Sequence, residues 1–403
     1  MLKAIGLSKN KDPYIAGKEA VHLAYKNIKP LSTKNVKEIS IAFVFATAQL
    51  SRESLLKGIK EELPNTPVVG CSGAGIISPS GIDLNAVAVL LVSSEKIKFA
   101  CAQEINLDKK DPRLAGQTLA KNTLRKLGPY PREAFIIFMD GLIKNPSRFI
   151  SGIKEMLGTS LPIIGGASAD DLKFEKTYQF FDNKISSNCA VGVLIGESAV
   201  VKFGIRHGWK PLGKSRIVTE SSGNLIKTIE NKPATSMYDE YFGKDSKKIE
   251  AEKIIYLSVR YPLGIYVEGE KEYLLRNAVG VEKDGSIVCQ GDVPQGASIK
   301  LMMGTKESVL QAAQEAAGAL KKSIGIYNKP VEFALVFDSF SRNRLLGRAA
   351  KNEVEAIKTS LGEDMPFLGF YTYGEQAPLS ALNYRGQSHF HNESVAIIGI
   401  GEQ

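Results

Sequence analysis

Ala42-Phe43-Val44-Phe45, followed by Gly58-Ile59-Lys60-Glu61-Glu62-Leu63 and Pro67-Val68-Val69-Gly70, is the stretch from which the fold can be read. The same order returns at Phe135-Ile136-Ile137-Phe138, Gly152-Ile153-Lys154-Glu155-Met156-Leu157 and Pro162-Ile163-Ile164-Gly165. A third copy runs Ala334-Leu335-Val336-Phe337, Ala356-Ile357-Lys358-Thr359-Ser360-Leu361 and Pro366-Phe367-Leu368-Gly369. From lysine to proline the spacing is 7, 8 and 8 residues, the mark of an internal repeat. A short apolar run rich in Phe and Val suits a buried strand. The segment after it is helical, and Asn145-Pro146 offers an N-cap and a first-turn proline in the second copy. Proline then ends the helix and feeds a second strand. The closing glycine allows a sharp turn or a close approach to a ligand.

The first two copies continue in parallel. Ala86-Val87-Ala88-Val89-Leu90 matches Ala190-Val191-Gly192-Val193-Leu194, and Lys98-Phe99 matches Lys202-Phe203. Two strands joined by a short polar link predict an antiparallel hairpin in each copy. The expected class is therefore α/β (mixed α+β): mixed sheets of repeated strand–helix–strand–hairpin units, with helices packed on the sheet faces. The third copy closes with Val395-Ala396-Ile397-Ile398-Gly399-Ile400.

At 403 residues two domains are expected, and the change of pattern over 227–248 puts the boundary near residue 225. Residues 1–225 then hold two repeat units and 226–403 the third. In the second part, 274–281, 287–289 and 298–302 read as strands. Thr305 reads as the N-cap of a periodic helix over 306–322.

Composition excludes several classes. Apolar residues are 43% and charged residues 24% of the chain, a globular profile. The start has no apolar run suited to a signal peptide, and no stretch approaches the ~20 apolar residues of a membrane helix. A cytoplasmic protein without membrane contact is expected. Cys71, Cys101, Cys189 and Cys289 lie far apart without a CxxC, so reduced thiols are expected. His389 and His391 share a strand face, but no third ligand has recognisable spacing, so no metal and no cofactor are expected. The net charge of +9 is spread along the chain and interleaved with acids, which points away from nucleic acid.

Seven motifs stand in collinear order over some 350 residues. They are Val69-Gly70-Cys71-Ser72, Ile164-Gly165-Gly166-Ala167-Ser168, His207-Gly208-Trp209-Lys210-Pro211 and Asn277-Ala278-Val279-Gly280. Gly291-Asp292-Val293-Pro294-Gln295-Gly296, Phe370-Tyr371-Thr372-Tyr373-Gly374-Glu375 and Phe390-His391-Asn392-Glu393-Ser394 complete the set. In these the chain resembles the FIST family, the first half its N-terminal domain and the second half its C-terminal domain. The resemblance implies a sensory module for small ligands such as amino acids. The 403 residues leave no room for an output domain, so a sensed signal is expected to pass to a separate partner protein. Family members often carry cysteine at the place of Ser339, so thiol chemistry there is not implied for this chain.

Candidate ligand-binding residues come from two sets. Gly70, Cys71 and Ser72, with Gly165, Gly166 and Ser168, are expected in glycine-bearing loops whose backbone N–H groups face a ligand. Arg342, Tyr373, Glu375, His391 and Asn392 form the polar set of the second half. Arg342 and Glu375 supply the two charges an amino-acid-like ligand needs, and a buried Arg–Glu bridge is the structural alternative. A hydrolase or transferase using Cys71, Ser72 or Ser168 is a second functional reading, and a protein-interaction scaffold is a third. No nucleophile–base–orienter set is legible, so no catalytic residue is assigned. Trp209 reads as a packing anchor, and Asp170-Asp171 as a solvated turn.

Overall fold

The computed structural model describes residues 1–28, 38–243, 250–270, 272–321, 329–379 and 387–403. The first unit begins with β1 (Leu2–Ser8), α1 (Pro13–Ile28), β2 (Ile41–Thr47) and α2 (Glu53–Glu62). It continues with β3 (Val68–Gly73), the short strands β4 (Ile76–Ser78) and β5 (Gly81–Asp83), and β6 (Val87–Ser93). The second unit repeats this order. It runs through β7 (Ile97–Ile105), α3 (Pro112–Leu127), β8 (Arg132–Met139) and α4 (Pro146–Leu157). Then come β9 (Ile163–Ala167), β10 (Gln179–Phe181), β11 (Lys184–Ser186) and β12 (Cys189–Glu197).

The third unit opens with β13 (Ala199–Arg206) and is then interrupted by an inserted antiparallel sheet. Its elements are β14 (Lys210–Ser222), β15 (Leu225–Ile229), β16 (Lys232–Pro233), α5 (Ser236–Phe242) and α6 (Ala251–Ser258). They are followed by β17 (Leu263–Ile265), β18 (Leu274–Arg276), β19 (Ala278–Val281), β20 (Ile287–Cys289) and β21 (Ser298–Met303). The unit resumes with α7 (Lys306–Gly318), β22 (Phe333–Ser339), α8 (Phe340–Leu346) and α9 (Ala350–Leu361). It ends on β23 (Phe367–Thr372), β24 (Glu375–Pro378), β25 (Ser388–His391) and β26 (Val395–Glu402).

Each unit builds one mixed sheet but lends its short hairpin to another. The strand orders are β1-β6-β2-β3-β10-β11, β7-β12-β8-β9-β24-β25 and β13-β26-β22-β23-β4-β5. The repeat therefore closes cyclically, and the parallel central pairs share one register. Val44 lies opposite Gly70, Ile137 opposite Gly165, and Val336 opposite Gly369. Alternation along the strands explains the layers. Ala42, Val44 and Ala46 face the core under α1 and α2. Phe43 and Phe45 point the other way, into a centre shared with Phe138, Phe337 and Phe370 from the other sheets. Phe45, Phe138 and Phe337 are all fully buried, at the matching places the repeat predicts. Among the described residues no helix is long and apolar enough to cross a membrane.

Several local expectations need correction. The strand pairs expected as hairpins, β6–β7 and β12–β13, do not pair with each other. Both edges of β6 are taken by β1 and β2, and both edges of β12 by β7 and β8, so the chain must step to the next sheet. The repeat also has an extra leading strand and helix in each unit. Residues 274–281 are not one strand but β18 and β19, broken at Asn277 where its N–H donates to Asn392 Oδ1 at 3.2 Å. Asn145 precedes α4 in a left-handed conformation, φ 56°, and its side chain makes no capping bond. Thr305 does cap α7, in a reciprocal capping box with Ser308. The helix ends at Gly318, and the expected last residue, Lys322, lies outside the described residues. Residue 225 is the first residue of β15, within the inserted sheet.

Candidate functional site

Gly70, Cys71 and Ser72 lie inside β3, and Gly165 and Gly166 inside β9, so they are not the exposed loop glycines expected from the sequence. All five are buried. The reason for glycine here is the neighbouring backbone. A Cβ on Gly70 would come within 1.8 Å of the Val44 carbonyl oxygen, and one on Gly165 within 1.9 Å of that of Ile137. Burial pushes the Cys71 thiol well above its ordinary pKa, the reverse of what a nucleophile needs. Ser72 donates to the Ala169 carbonyl at 2.9 Å and accepts from the Tyr178 N–H at 3.1 Å. Ser168 donates to the Met139 carbonyl at 3.1 Å. These residues tie β3 and β9 to the segments around them.

Arg342 sits on α8 with no exposed surface. Its Nε donates to Glu353 Oε1 at 3.0 Å, Nη1 to the His207 carbonyl at 2.6 Å and Nη2 to the Val309 carbonyl at 2.9 Å. Asp338 Oδ1 lies 3.0 Å from the same Nε. The charge partners of Arg342 are thus Asp338, four residues before it near the end of β22, and Glu353 on α9. Glu375 instead takes a very short hydrogen bond from Thr372 Oγ1 and accepts the Ser394 N–H at 3.1 Å. Burial pushes its carboxyl up to about 8, and raises Asp338 and Glu393 as well. His391 is held well below its usual value by burial, with Nε2 2.9 Å from the Ala377 carbonyl. Asn392 accepts the Asn277 N–H through Oδ1, tying β25 to the inserted sheet.

Of the candidates, Tyr373 lines an open pocket with a volume of about 440 Å³. Three regions of chain meet there. The segment after β9 contributes Leu172 and Phe174, and α6, the turn after it and the start of β19 contribute Tyr256, Arg260 and Val279. The third unit contributes Ser339, Phe340, Ser341, Arg344, Thr372 and Tyr373. Asp170 shapes the first of these. Its carboxylate accepts the N–H groups of Phe174, Glu175 and Lys176 at 3.0, 2.8 and 2.9 Å, and the Tyr373 hydroxyl at 2.6 Å. The Tyr373 oxygen in turn accepts the Leu172 N–H at 2.6 Å. Held this way, Asp171, Leu172 and Phe174 all adopt positive φ, a strained arrangement for such side chains. Phe174 stays 54% exposed, with its ring stacked on Tyr373 at 4.7 Å.

The sequence reading missed Phe174, Tyr256, Arg260 and Arg344, and it took Asp170 for part of a solvated turn, whereas Asp170 is 2% exposed with its carboxylate bound to backbone N–H groups. A signal for Asp170 was present, since an aspartate ahead of a short polar run can bind the following backbone N–H groups. Tyr256 is 79% exposed on α6 and Leu172 is 41% exposed, so both are apolar where solvent would select polar groups. Nothing local distinguishes Arg260 or Arg344 from other surface arginines.

Models of known families match most of the chain. Residues 40–232 match the FIST N domain, and residues 234–378 match the FIST C domain. An uncharacterized protein of Methanocaldococcus jannaschii is 24% identical over 376 residues, covering 85% of this chain and 67% of that protein. Among solved structures, a cyanuric acid hydrolase aligns over the whole of both chains with 8% identity and a TM-score of 0.37. A chorismatase aligns over 99% of this chain and 98% of its own, with 9% identity and a TM-score of 0.34.

Proposed function

Because this chain belongs to the FIST family, whose domains are generally sensory modules of signal transduction, we propose that it binds an amino-acid-like metabolite and relays its presence to a separate protein. The observation that carries this reading is the pocket of about 440 Å³, walled partly by the three-unit body and partly by the inserted sheet. That volume falls in the range of small-molecule sites. A ligand touching both walls favours one placement of the inserted sheet over another, which is how binding becomes a signal.

The attachment of the inserted sheet supports such a response. It leaves and rejoins the body through neighbouring strands, with Lys210 paired to Met303. Trp209 packs against Gly304 at this junction, and its indole N–H donates to the Arg260 carbonyl at 3.2 Å. Arg260 is itself on the pocket wall. In this proposal Glu375 acts through Thr372, which lines the pocket, and Arg342 holds α8 in place behind it. The enzyme reading loses its best candidate, since Cys71 is fully buried with a raised pKa.

A thermal-shift screen of the common amino acids and their relatives at millimolar concentration tests the proposal. A ligand at one hundred times its dissociation constant stabilises by ~2.7 kcal/mol, a rise of several degrees for a chain of this size. The rise should vanish in Val279→Trp, which places an indole at the pocket mouth. A full screen without any shift would sink the sensor reading.

A further inference from the structure

The charges on the pocket wall are one-sided. Arg260 and Arg344 line it, and among the described residues no aspartate, glutamate or lysine does. Both arginines are exposed, and among the described residues neither is in an ion pair. Of the nearby acids, Glu393 lies behind Asn277 and Ser341, fully buried, and burial raises its carboxyl well above its ordinary value, which favours the uncharged form; Asp170 and Glu375 are already committed. Asp170 is occupied by three backbone N–H groups and the Tyr373 hydroxyl. Glu375 is bonded to Thr372 and Ser394. A free ammonium group entering this pocket would meet no carboxylate on its wall, whereas a carboxylate would meet two guanidinium groups without an ion-pair partner among the described residues, Arg260 lying over the Tyr261 ring at 5.9 Å.

The rest of the wall is flat and apolar. Phe174 and Tyr373 present stacked rings, 19° from parallel, and Tyr256 and Phe340 also face the pocket. Phe174 is kept there by backbone at positive φ, so its exposure is built into the loop and does not follow from a floppy side chain. Asn277, only 7% exposed, lines the same wall; its Nδ2 donates to Ser341 Oγ at 3.4 Å, and among the described residues its buried Oδ1 has no partner.

We propose that the pocket takes a small organic anion with a flat apolar body, its carboxylate held by Arg260 and Arg344 and its body laid on the Phe174–Tyr373 rings. The inference rests on the reading of this pocket as the ligand site, and it narrows the ligand to one that needs no positive charge.

Calorimetric titration of the full chain with four probes tests it: 3-phenylpropionate, L-phenylalanine, 2-phenylethylamine and acetate. The order expected is 3-phenylpropionate first, L-phenylalanine about tenfold weaker, and the amine and acetate weaker still, because a charge-assisted bond lost or unmatched costs about that factor. Arg260→Gln and Arg344→Gln should each weaken 3-phenylpropionate about tenfold, with the melting temperature of the ligand-free protein unchanged. Equal binding of the amine, or full affinity in the double arginine variant, overturns the anion assignment. Equal binding of acetate overturns the requirement for an apolar body. If amino acids bind tightly and 3-phenylpropionate does not, this inference falls while the sensor proposal stands. If no probe and no metabolite binds, and Val279→Trp changes nothing, the pocket itself is misassigned.

Discussion

Arg342 stands out in the sequence for its charge, and its surroundings decide what that charge does. With no exposed surface and its donors spent on Glu353, His207 and Val309, it cannot reach a ligand without breaking its own lattice. Burial opposes its charge, and Glu353 and Asp338 restore and raise it. Arg342→Met should destabilise the ligand-free protein by about 3–5 kcal/mol, because it strands the acids around it. Arg342→Lys should recover little of this, since one ammonium cannot serve three separated acceptors. Urea unfolding checks both variants. Glu375 carries a second prediction with a definite sign. Its carboxyl is protonated up to about pH 8 in the fold, against an ordinary value of 4.5 when unfolded. Between those values the folded state holds a proton the unfolded state has released. Stability is therefore greatest below pH ~4.5 for this group and falls as pH rises to 8, by up to ~1.4 kcal/mol per pH unit. Glu375→Gln should flatten that slope, as read from urea midpoints at pH 5, 6.5 and 8.

At the scale of elements, the repeat works because a glycine sits at one register position in each sheet. Gly369 stands opposite Val336 as Gly70 and Gly165 stand opposite their partners, and a Cβ there would lie 2.1 Å from the Val336 carbonyl oxygen. Gly165→Ala and Gly369→Ala should each cost at least about 1–3 kcal/mol, since the clash is with backbone that cannot turn aside. Gly318→Ala is the control. It ends α7 with open space around it, and alanine there should be neutral or stabilising by up to ~1 kcal/mol. Guanidinium melts of the three variants compare the cases. The proline and glycine spacing marks these positions in the sequence. What the spacing leaves hidden is their purpose, close contact between strands and not approach to a ligand. Hairpin pairing is illegible for a similar reason. Adjacency in sequence suggests β6–β7 and β12–β13, but which edge of a buried strand is free depends on strands far away in the chain.

For the whole molecule, the cyclic exchange of strands binds the two halves together. β13 pairs with β26, β9 with β24, and β4 with β23, so each of these contacts joins residues before 225 to residues after it. Residues 1–225 and 226–403 produced separately should each lack a cooperative unfolding transition, and mixing them from denaturant should restore it. Circular dichroism during thermal melting checks this. Two independent sharp transitions would show that the halves fold alone and that the shared strands add little.

The repeated strand–helix–strand pattern, the buried phenylalanines, the Thr305 cap and the family are all legible in the sequence. They rest on periodicity and local chemistry, which a linear string carries. The pocket is not. Phe174, Tyr256, Arg260 and Arg344, which line it, come from segments far apart in the chain, and each looks ordinary beside its sequence neighbours. The same holds for the polar set, where Arg342 and Glu375 look like a natural pair. Packing gives Arg342 to Glu353 and Asp338 and leaves Glu375 with Thr372, because partners for a buried charge are chosen by distance in space. Sequence sets which groups are present and how each strand alternates. Only the closing of three sheets around a common centre, with a fourth inserted beside them, decided which groups face one another and which remain open to a ligand.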